Sequence, residues 1–342
     1  MKKTTIQELA QKAGVSTATV DRVLHKRRGV SEGSKLKVRA AMQQLGFRGY
    51  ADEKLEAPRP RLHNKFLLPN LETGFAEQMV AAVKVASGAV DDAIVLNDIQ
   101  RVDLRDGKAV IRELDALDPA QYDGVALFAV DAPGVRQAID RAVDRGIKVV
   151  SIVTDIPTSR RHYFIGIDNA SAGRVAANLV GKFLRNEKGK LAVIAGSLQM
   201  RDQLDRYFGF EQVIRSSFPG LRILPVEEGD SLRRRNASIT TRLLEKHDDL
   251  IGIYSAGAGN SGILDAFDEL GVTKRPLLIV HELSDRVRSA LNDDQIDAVI
   301  VQDAGHIARS AVRVLRSYCL KKPILEPQER IRIEIYLADN LP

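Results

Sequence analysis

The stretch GVSTATVDRVLHKRRGV, residues 14–30, concentrates hydrogen-bond donors of the kinds that meet nucleic acid. Arg22 can donate two hydrogen bonds to the edge of a guanine, and the small Thr17 and Ala18 permit close approach and contact with a thymine methyl. Ser16, Thr19, His25, Lys26, Arg27, Arg28 and, beyond the stretch, Lys35 suit phosphate contacts, which fix a protein on a duplex without reading its sequence. The alternative for Lys26 to Arg28 is a solvated basic loop. No catalytic constellation stands elsewhere in the chain. The six histidines, His25, His63, His162, His247, His281 and His306, show neither HxxxH nor HExxH spacing. GSLQMRD and SAGAGNSG lack the Lys and the full spacing of a phosphate-binding loop, and no G-x-G-x-x-G opens a helix after the first strand pattern. The single cysteine, Cys319, cannot form an internal disulfide and reads as a buried small residue in a reducing compartment. Neither a metal nor a cofactor is expected.

Donors that enter a groove need a helix to present them, and the sequence supplies one with its support. Thr5 and Glu8 have capping-box spacing, and Ile6, Leu9, Ala10 and Ala13 then share one face of a short helix. Gly14 supplies the positive φ that ends it. Ser16 caps a second helix, with Val15 and Val20 placed as a hydrophobic staple. A third helix from Ser31 to Leu45 turns Val38, Ala41, Met42 and Leu45 inward, and Gly46 ends it. In such a helix-turn-helix the second helix presents Thr17, Ala18 and Arg22. Charge follows the same division. Residues 1–60 hold 13 Lys/Arg and 6 Asp/Glu, a net +7, and the other 38 basic and 39 acidic groups bring the chain to +6. A small basic module joined to a neutral one is what counterion release from a polyanion favours, with solubility the alternative. The opening MKKTTIQELAQK is polar and amphipathic, and no window reaches about 18 apolar residues, so a cytoplasmic protein with no membrane partner is expected.

TTIQELAQKAGVSTATVDRVLHKRRGVSEGSKLKVRAAMQQLGF closely resembles, without a gap, the DNA-binding headpiece of the lactose-repressor (LacI) family of bacterial transcription regulators. The resemblance implies operator DNA as a partner, bound by a homodimer or tetramer with the second helix in the major groove, and adds Thr5 to the DNA-contacting residues. Two departures stand out. Asp21 replaces a usual Ser, and its carboxylate repels phosphate unless Arg22 or Lys26 neutralises it. In the family a hinge helix follows, whose Leu wedges into the minor groove. Here the stretch is GYADEKLEAPRPRLHNK, with Glu53 on the DNA-facing segment, Glu56 at the wedge position and Leu55 one residue early. Either the register shifts so that Leu55 inserts, or minor-groove kinking matters less. Pro58 and Pro60 end any helix and mark the boundary.

From about Lys65 onward, apolar runs alternate with helical patterns. KFLLPNL, DAIVLNDI, GVALFAV and IKVVSIVTD form a first series, and KLAVIAG, LIGIYSAG, PLLIVHE and IDAVIVQD a second. Continuous Val/Ile/Leu runs indicate strands buried on both faces, hence parallel sheets covered by helices. The expected fold is an all-α helix-turn-helix headpiece followed by two doubly wound α/β lobes, with ligand in the cleft beyond the carboxyl ends of the strands. This region resembles the type I periplasmic-binding-protein fold in its ribose-binding-like branch, through YFIGIDNASAG, DRYFGF and VQD in order. In that family the chain crosses between lobes three times. The expected division is residues 1–48 for the headpiece, 49–61 for the linker and 62–342 for the effector domain. Lobe one takes about 62–166 and 302–325, and lobe two about 167–301 and 326–342.

The resemblance also carries ligand positions, one at a time. Phe75 aligns with an aromatic that stacks on sugar rings, with Thr73 in place of an Asn beside it; packing under its loop is the alternative. Asp155 aligns with a carboxylate that accepts from vicinal hydroxyls, against a simple loop cap. Arg206 matches an arginine that reaches the ligand, against solvation on a surface helix, whereas Leu204 replaces the first arginine of the common pair. Asn260, Glu282, where Asp is common, and Gln302 complete the set at strand ends. Asp168 and Asn169 are expected to cap the following helix. Carboxylates, amides and one ring suit a neutral sugar or sugar alcohol better than a purine or a phosphate ester. The expected function is a repressor whose operator affinity a small polyhydroxylated effector controls. Its alternatives are a sugar-binding protein with a degenerate headpiece, a regulator sensing a purine, and, least favoured, a Rossmann-type enzyme.

Overall fold

The chain divides into two compact units, residues 1–59 and 60–342. The computed structural model describes residues 5–25, 27–45, 47, 59–71, 74–90, 92–103, 106–185 and 187–342. Lys26, Leu55, Glu53, Glu56, Pro58 and Thr73 lie outside the described residues, and with them the questions of hinge and wedge.

In the first unit, local hydrogen bonds fix three helices, α1 (Ile6–Ala13), α2 (Thr17–Leu24) and α3 (Glu32–Gln44). The capping box is present in full: Glu8 N donates to Thr5 Oγ1 at 3.3 Å and Thr5 N to Glu8 Oε2 at 2.8 Å. Gly14 ends α1 at φ 64°, a left-handed conformation in which an added Cβ is strained. Ser16 caps α2 and Ser31 caps α3. Leu9, Ala10, Ala13, Val20, Leu24, Val38 and Ala41 form the small core between the helices.

The second unit holds two sheets. The first uses β1 (Arg61–Pro69), β2 (Gly88–Val90), β3 (Ala93–Val102), β4 (Gly124–Leu127), β5 (Lys148–Ile152) and β6 (Tyr163–Ile165), in the order β2-β3-β1-β4-β5-β6. Only β2 runs antiparallel to its neighbour. Helices α4 (Gly74–Val85), α5 (Gly107–Asp115) and α6 (Pro133–Asp144) make the crossovers. The chain passes to the second lobe through α7 (Asn169–Phe183), β7 (Gly189–Ala195), α8 (Arg201–Ser217), β8 (Leu221–Ile223) and β9 (Glu227–Glu228). It continues with α9 (Arg233–Lys246), β10 (Leu250–Ser255), α10 (Ser261–Glu269), β11 (Leu277–His281), α11 (Asp285–Asn292) and β12 (Ala298–Val301). It then returns to pack α12 (Ala304–Cys319) on α4 and β5. After α13 (Glu326–Glu329) it crosses once more, adding β13 (Glu334–Tyr336) antiparallel to β12. The second sheet runs β13-β12-β11-β10-β7-β8, with β9 beside β7.

Strand order reverses between β1 and β4 in one sheet and between β7 and β10 in the other. Crevices at such switch points open at the carboxyl ends of the strands. Contacts join the two lobes there. Met200, just before α8, sits in the lobe-one core cluster of Leu67, Leu127 and Ile156. Gln78 Nε2 donates to Leu283 O at 3.0 Å, and Asp202 N to Thr154 Oγ1 at 3.3 Å. Two non-glycine residues with positive φ, Val153 at 67° and Glu282 at 71°, stand on these strand ends. Such conformations persist where the surroundings over-determine them, often at ligand sites.

Candidate functional site

In the headpiece, Thr17, Ala18 and Arg22 are exposed on α2, and Arg22 has no ion-pair partner among the described residues. A guanidinium on an exposed helix face, with small neighbours one turn earlier, can approach a base edge. Of the two expected partners of Asp21, Arg22 does not reach it and Lys26 lies outside the described residues; His25 and Arg27 do reach it. His25 Nδ1 lies 3.0 Å and Arg27 Nη1 3.4 Å from its carboxylate oxygens. Arg22 stays free of it because residues i and i+1 face different sides of a helix. Ser16 Oγ lies 2.9 Å from Thr19 Oγ1, and Thr5 is held in its capping box. Arg28 is exposed, whereas Lys35 is paired at 2.6 Å with Glu32, whose carboxyl that pair holds below its ordinary range.

At the sensor cleft, the residues singled out by resemblance separate into engaged and open groups. Asp155 is engaged. Its Oδ1 accepts from Ser151 Oγ at 2.8 Å, Ile156 N at 2.7 Å and Arg161 Nε at 2.5 Å, and its Oδ2 from Arg161 Nη2 at 2.6 Å. A carboxylate so supplied with donors must give up Arg161 before it accepts from a ligand. Asn260 is engaged too: its Oδ1 accepts from Ser255 Oγ at 2.6 Å and its Nδ2 donates to His281 O at 2.8 Å, which ties β10 to β11. Phe75, 6% exposed, belongs to the core cluster, so packing under the loop describes its ring. The half-buried Phe128, at the carboxyl end of β4, is a second aromatic at this edge.

Arg206 is the pivot of the site and is 1% exposed, so solvation on a surface helix does not describe it. Its Nε donates to Asn169 Oδ1 and its Nη1 to Ala256 O, both at 2.9 Å. Asp168 alone provides the helix cap, accepting from Ser171 N at 2.9 Å, which corrects the reading of Asn169 as a second cap. One turn before Arg206 lies Asp202, 3% exposed, with Oδ1 lacking any hydrogen-bond partner among the described residues. Burial raises its pKa, opposed by Arg206 and by the Thr154 hydroxyl. Asp202 was not singled out, because a lone Asp in a helix's first turn reads as a dipole partner.

Glu282 and Gln302 are the open groups. Gln302, 3% exposed, has both Oε1 and Nε2 unpartnered, and the half-buried Glu282 carboxyl has no hydrogen bond or ion pair among the described residues. They follow adjacent strands, since β11 pairs with β12 and Glu282 N donates to Ile300 O at 3.0 Å. Burial raises the Glu282 carboxyl from 4.5 to about 7, with Arg206 opposing and Asp202 adding to the rise. His281 is kept neutral by burial and by Arg206, and its Nε2 lies 2.8 Å from Tyr254 Oη.

The Glu282 shift has a testable sign. Its folded-state pKa is raised, so the stability it contributes is fully present below its unfolded value of 4.5 and is lost as pH rises through about 7. Between pH ~5 and ~8 the unfolding midpoint of the unmodified chain should therefore fall more steeply than that of Glu282→Gln. Parallel slopes in denaturation series at several pH values would remove Glu282 as the titrating group.

Three comparisons place this geometry among known proteins. Residues 5–49 match the family model "Bacterial regulatory proteins, lacI family", and residues 65–323 match "Periplasmic binding protein domain". The HTH-type transcriptional repressor PurR of Actinobacillus pleuropneumoniae is 25% identical over 66% of this chain, and the match spans only 64% of that relative's own length. The ribose operon repressor of Halalkalibacterium halodurans is 24% identical over 74% of this chain and 71% of its own. GanP, a glucose-galactose binding protein from Geobacillus stearothermophilus, superposes with a TM-score of 0.74 at 23% identity, covering 82% of this chain and 99% of that one. The last likeness is one of fold. A helix-turn-helix matched by one model, ahead of a two-lobed domain matched over most of the chain by the other, means that this chain belongs to the lacI family of bacterial regulatory proteins.

Proposed function

We propose that the chain is a sequence-specific DNA-binding transcription regulator, most naturally a repressor, that answers to a sugar or sugar alcohol held between its two lobes. The observation that carries the sensor half is a pair of buried polar side chains with unpartnered atoms, both amide atoms of Gln302 just past β12 and Asp202 Oδ1 in the first turn of α8, with the half-buried Glu282 at the end of β11. Buried polar groups are almost always satisfied, so atoms that are not call for a partner rich in hydroxyls. The relatives' printed names, a ribose operon repressor and a glucose-galactose binding protein among them, support that class.

Two copies acting together would set two α2 helices on adjacent half-sites. Effector that favours one relative angle of the lobes then shifts the population able to bind DNA. The test is a titration of the purified full chain against operator-containing DNA at moderate salt, with a thermal-shift screen of sugars and polyols. A ligand at 100 times its dissociation constant adds about 2.7 kcal/mol of stability. Failure to prefer any sequence over random DNA would sink the regulator reading. In the same assay, Arg22→Ala should lose about 1–3 kcal/mol of discrimination at one base position and leave effector binding unchanged. An equal loss on random DNA would instead make Arg22 a phosphate contact.

A further inference from the structure

A carboxylate stands beside the face of α2 that carries Ala18 and Arg22. Asp21 follows Thr17 by four residues and Ala18 by three, so its side chain borders that face. A carboxylate there meets the phosphates of a duplex repulsively, whatever the base sequence. The helix gives it nothing in return, because an acid in the last turn opposes the helix dipole. What Asp21 does hold is the turn that follows. His25 Nδ1 lies 3.0 Å from Asp21 Oδ1 and 2.9 Å from Asp21 O, and Arg27 Nη1 lies 3.4 Å from Asp21 Oδ2. Arg27 N donates to Arg22 O at 2.9 Å, so the backbone folds Arg27 back along α2, where the carboxylate meets its guanidinium. Two consecutive residues thus tether Arg27, Arg22 by its carbonyl and Asp21 by its carboxylate. Arg28, the next cation, is exposed and pairs with no acid among the described residues.

An arginine on a loop gives up conformational freedom when a phosphate fixes it, and a partner that holds it beforehand reduces that loss. Such pre-ordering matters where docking demands one geometry. On unmatched DNA the headpiece is held by charge, and many poses serve equally. At a matched site the bases fix the register of Arg22, and Arg27, tied to the same turn of α2, is delivered to one place beside it. We propose that Asp21 is a specificity-determining residue: its charge weakens binding to every duplex, and its hold on Arg27 returns part of that loss at the matched sequence alone. This inference rests on the reading of α2 as the helix that meets the bases.

The test lets the full chain select duplexes from a random pool, then measures dissociation constants for a selected duplex and for a random duplex of equal length over a salt series. Asp21→Asn keeps the shape and drops the charge. It should bind the random duplex more tightly, and its preference for the selected duplex should fall about two- to fivefold, the range of an exposed ion pair. That fall should vanish in an Arg27→Ala background and persist in an Arg28→Ala background, which separates a tether from bulk charge. Circular dichroism checks that each variant keeps its helices, and Asp21→Ala, expected to behave alike, is the second variant should the first not fold. A preference that is unchanged or higher in the substituted chain overturns the inference, as does a fall that is equally large without Arg27, and either leaves α2 as the reading helix. If the unmodified chain selects no sequence, the reading of α2 fails and the inference fails with it.

Discussion

Arg206→Met should destabilise the sensor domain by about 3–5 kcal/mol and abolish its response to effector. The side chain is 1% exposed, and its removal strands three groups at once. Asn169 Oδ1 and Ala256 O lose their donors, at about 1–3 kcal/mol for each buried acceptor left unmade, and Asp202 loses its nearest cation. Met keeps most of the volume, so little of the loss comes from a cavity. Urea denaturation of the two proteins measures it, with an unchanged slope showing that the same surface unfolds. A difference under about 1 kcal/mol would mean that the Arg206 network relaxes around the gap.

Gly173→Val should be worse. Helices α7 and α8 approach so closely that a Cβ on Gly173 would stand 2.0 Å from Arg206 O and 2.9 Å from Phe210 N. Gly209, across the contact, is in the same position, its Cβ 2.1 Å from Ala170 O. These neighbours are backbone atoms, which cannot swing aside as a side-chain tip can, so the helices must separate or the domain must unfold. Overpacking costs about 1–3 kcal/mol where side chains can adjust, and more is expected here. Soluble yield and unfolding midpoint report it, and Gly134→Ala, which meets only the flexible end of Ile111, is the control expected to be mild. Should Gly173→Val match that control, the close approach of the helices would be wrong.

How legible all this was in the sequence depended on distance along the chain. Capping box, Gly14 turn and Ser16 cap connect residues within a few positions, and each was readable. The longer buried strands were readable as apolar runs, but β1 begins at Arg61, earlier than its run suggests, because His63, Asn64 and Lys65 interrupt the pattern. Those polar residues find partners far away, in Asp98, Asn97 and Glu113. The short strands β2, β6, β8, β9 and β13 carry too few residues for a period to show. In the cleft, the family resemblance pointed to Glu282 and Gln302, but not to who satisfies whom. That Arg161 fills Asp155, and that Asn169 accepts from Arg206, follows from folding distant segments together.

The path of the chain between the lobes has a mechanical consequence. The chain passes between the lobes after β6, after β12 and after α13, and because β12 and β13 pair up to Val301 and Glu334, two of these passages begin side by side and pulling on one is resisted by the other. Gln302 lies on one of them, in the step from β12 to α12. Any group bound to Gln302 would therefore touch a passage between the lobes, where a change of backbone bears on both.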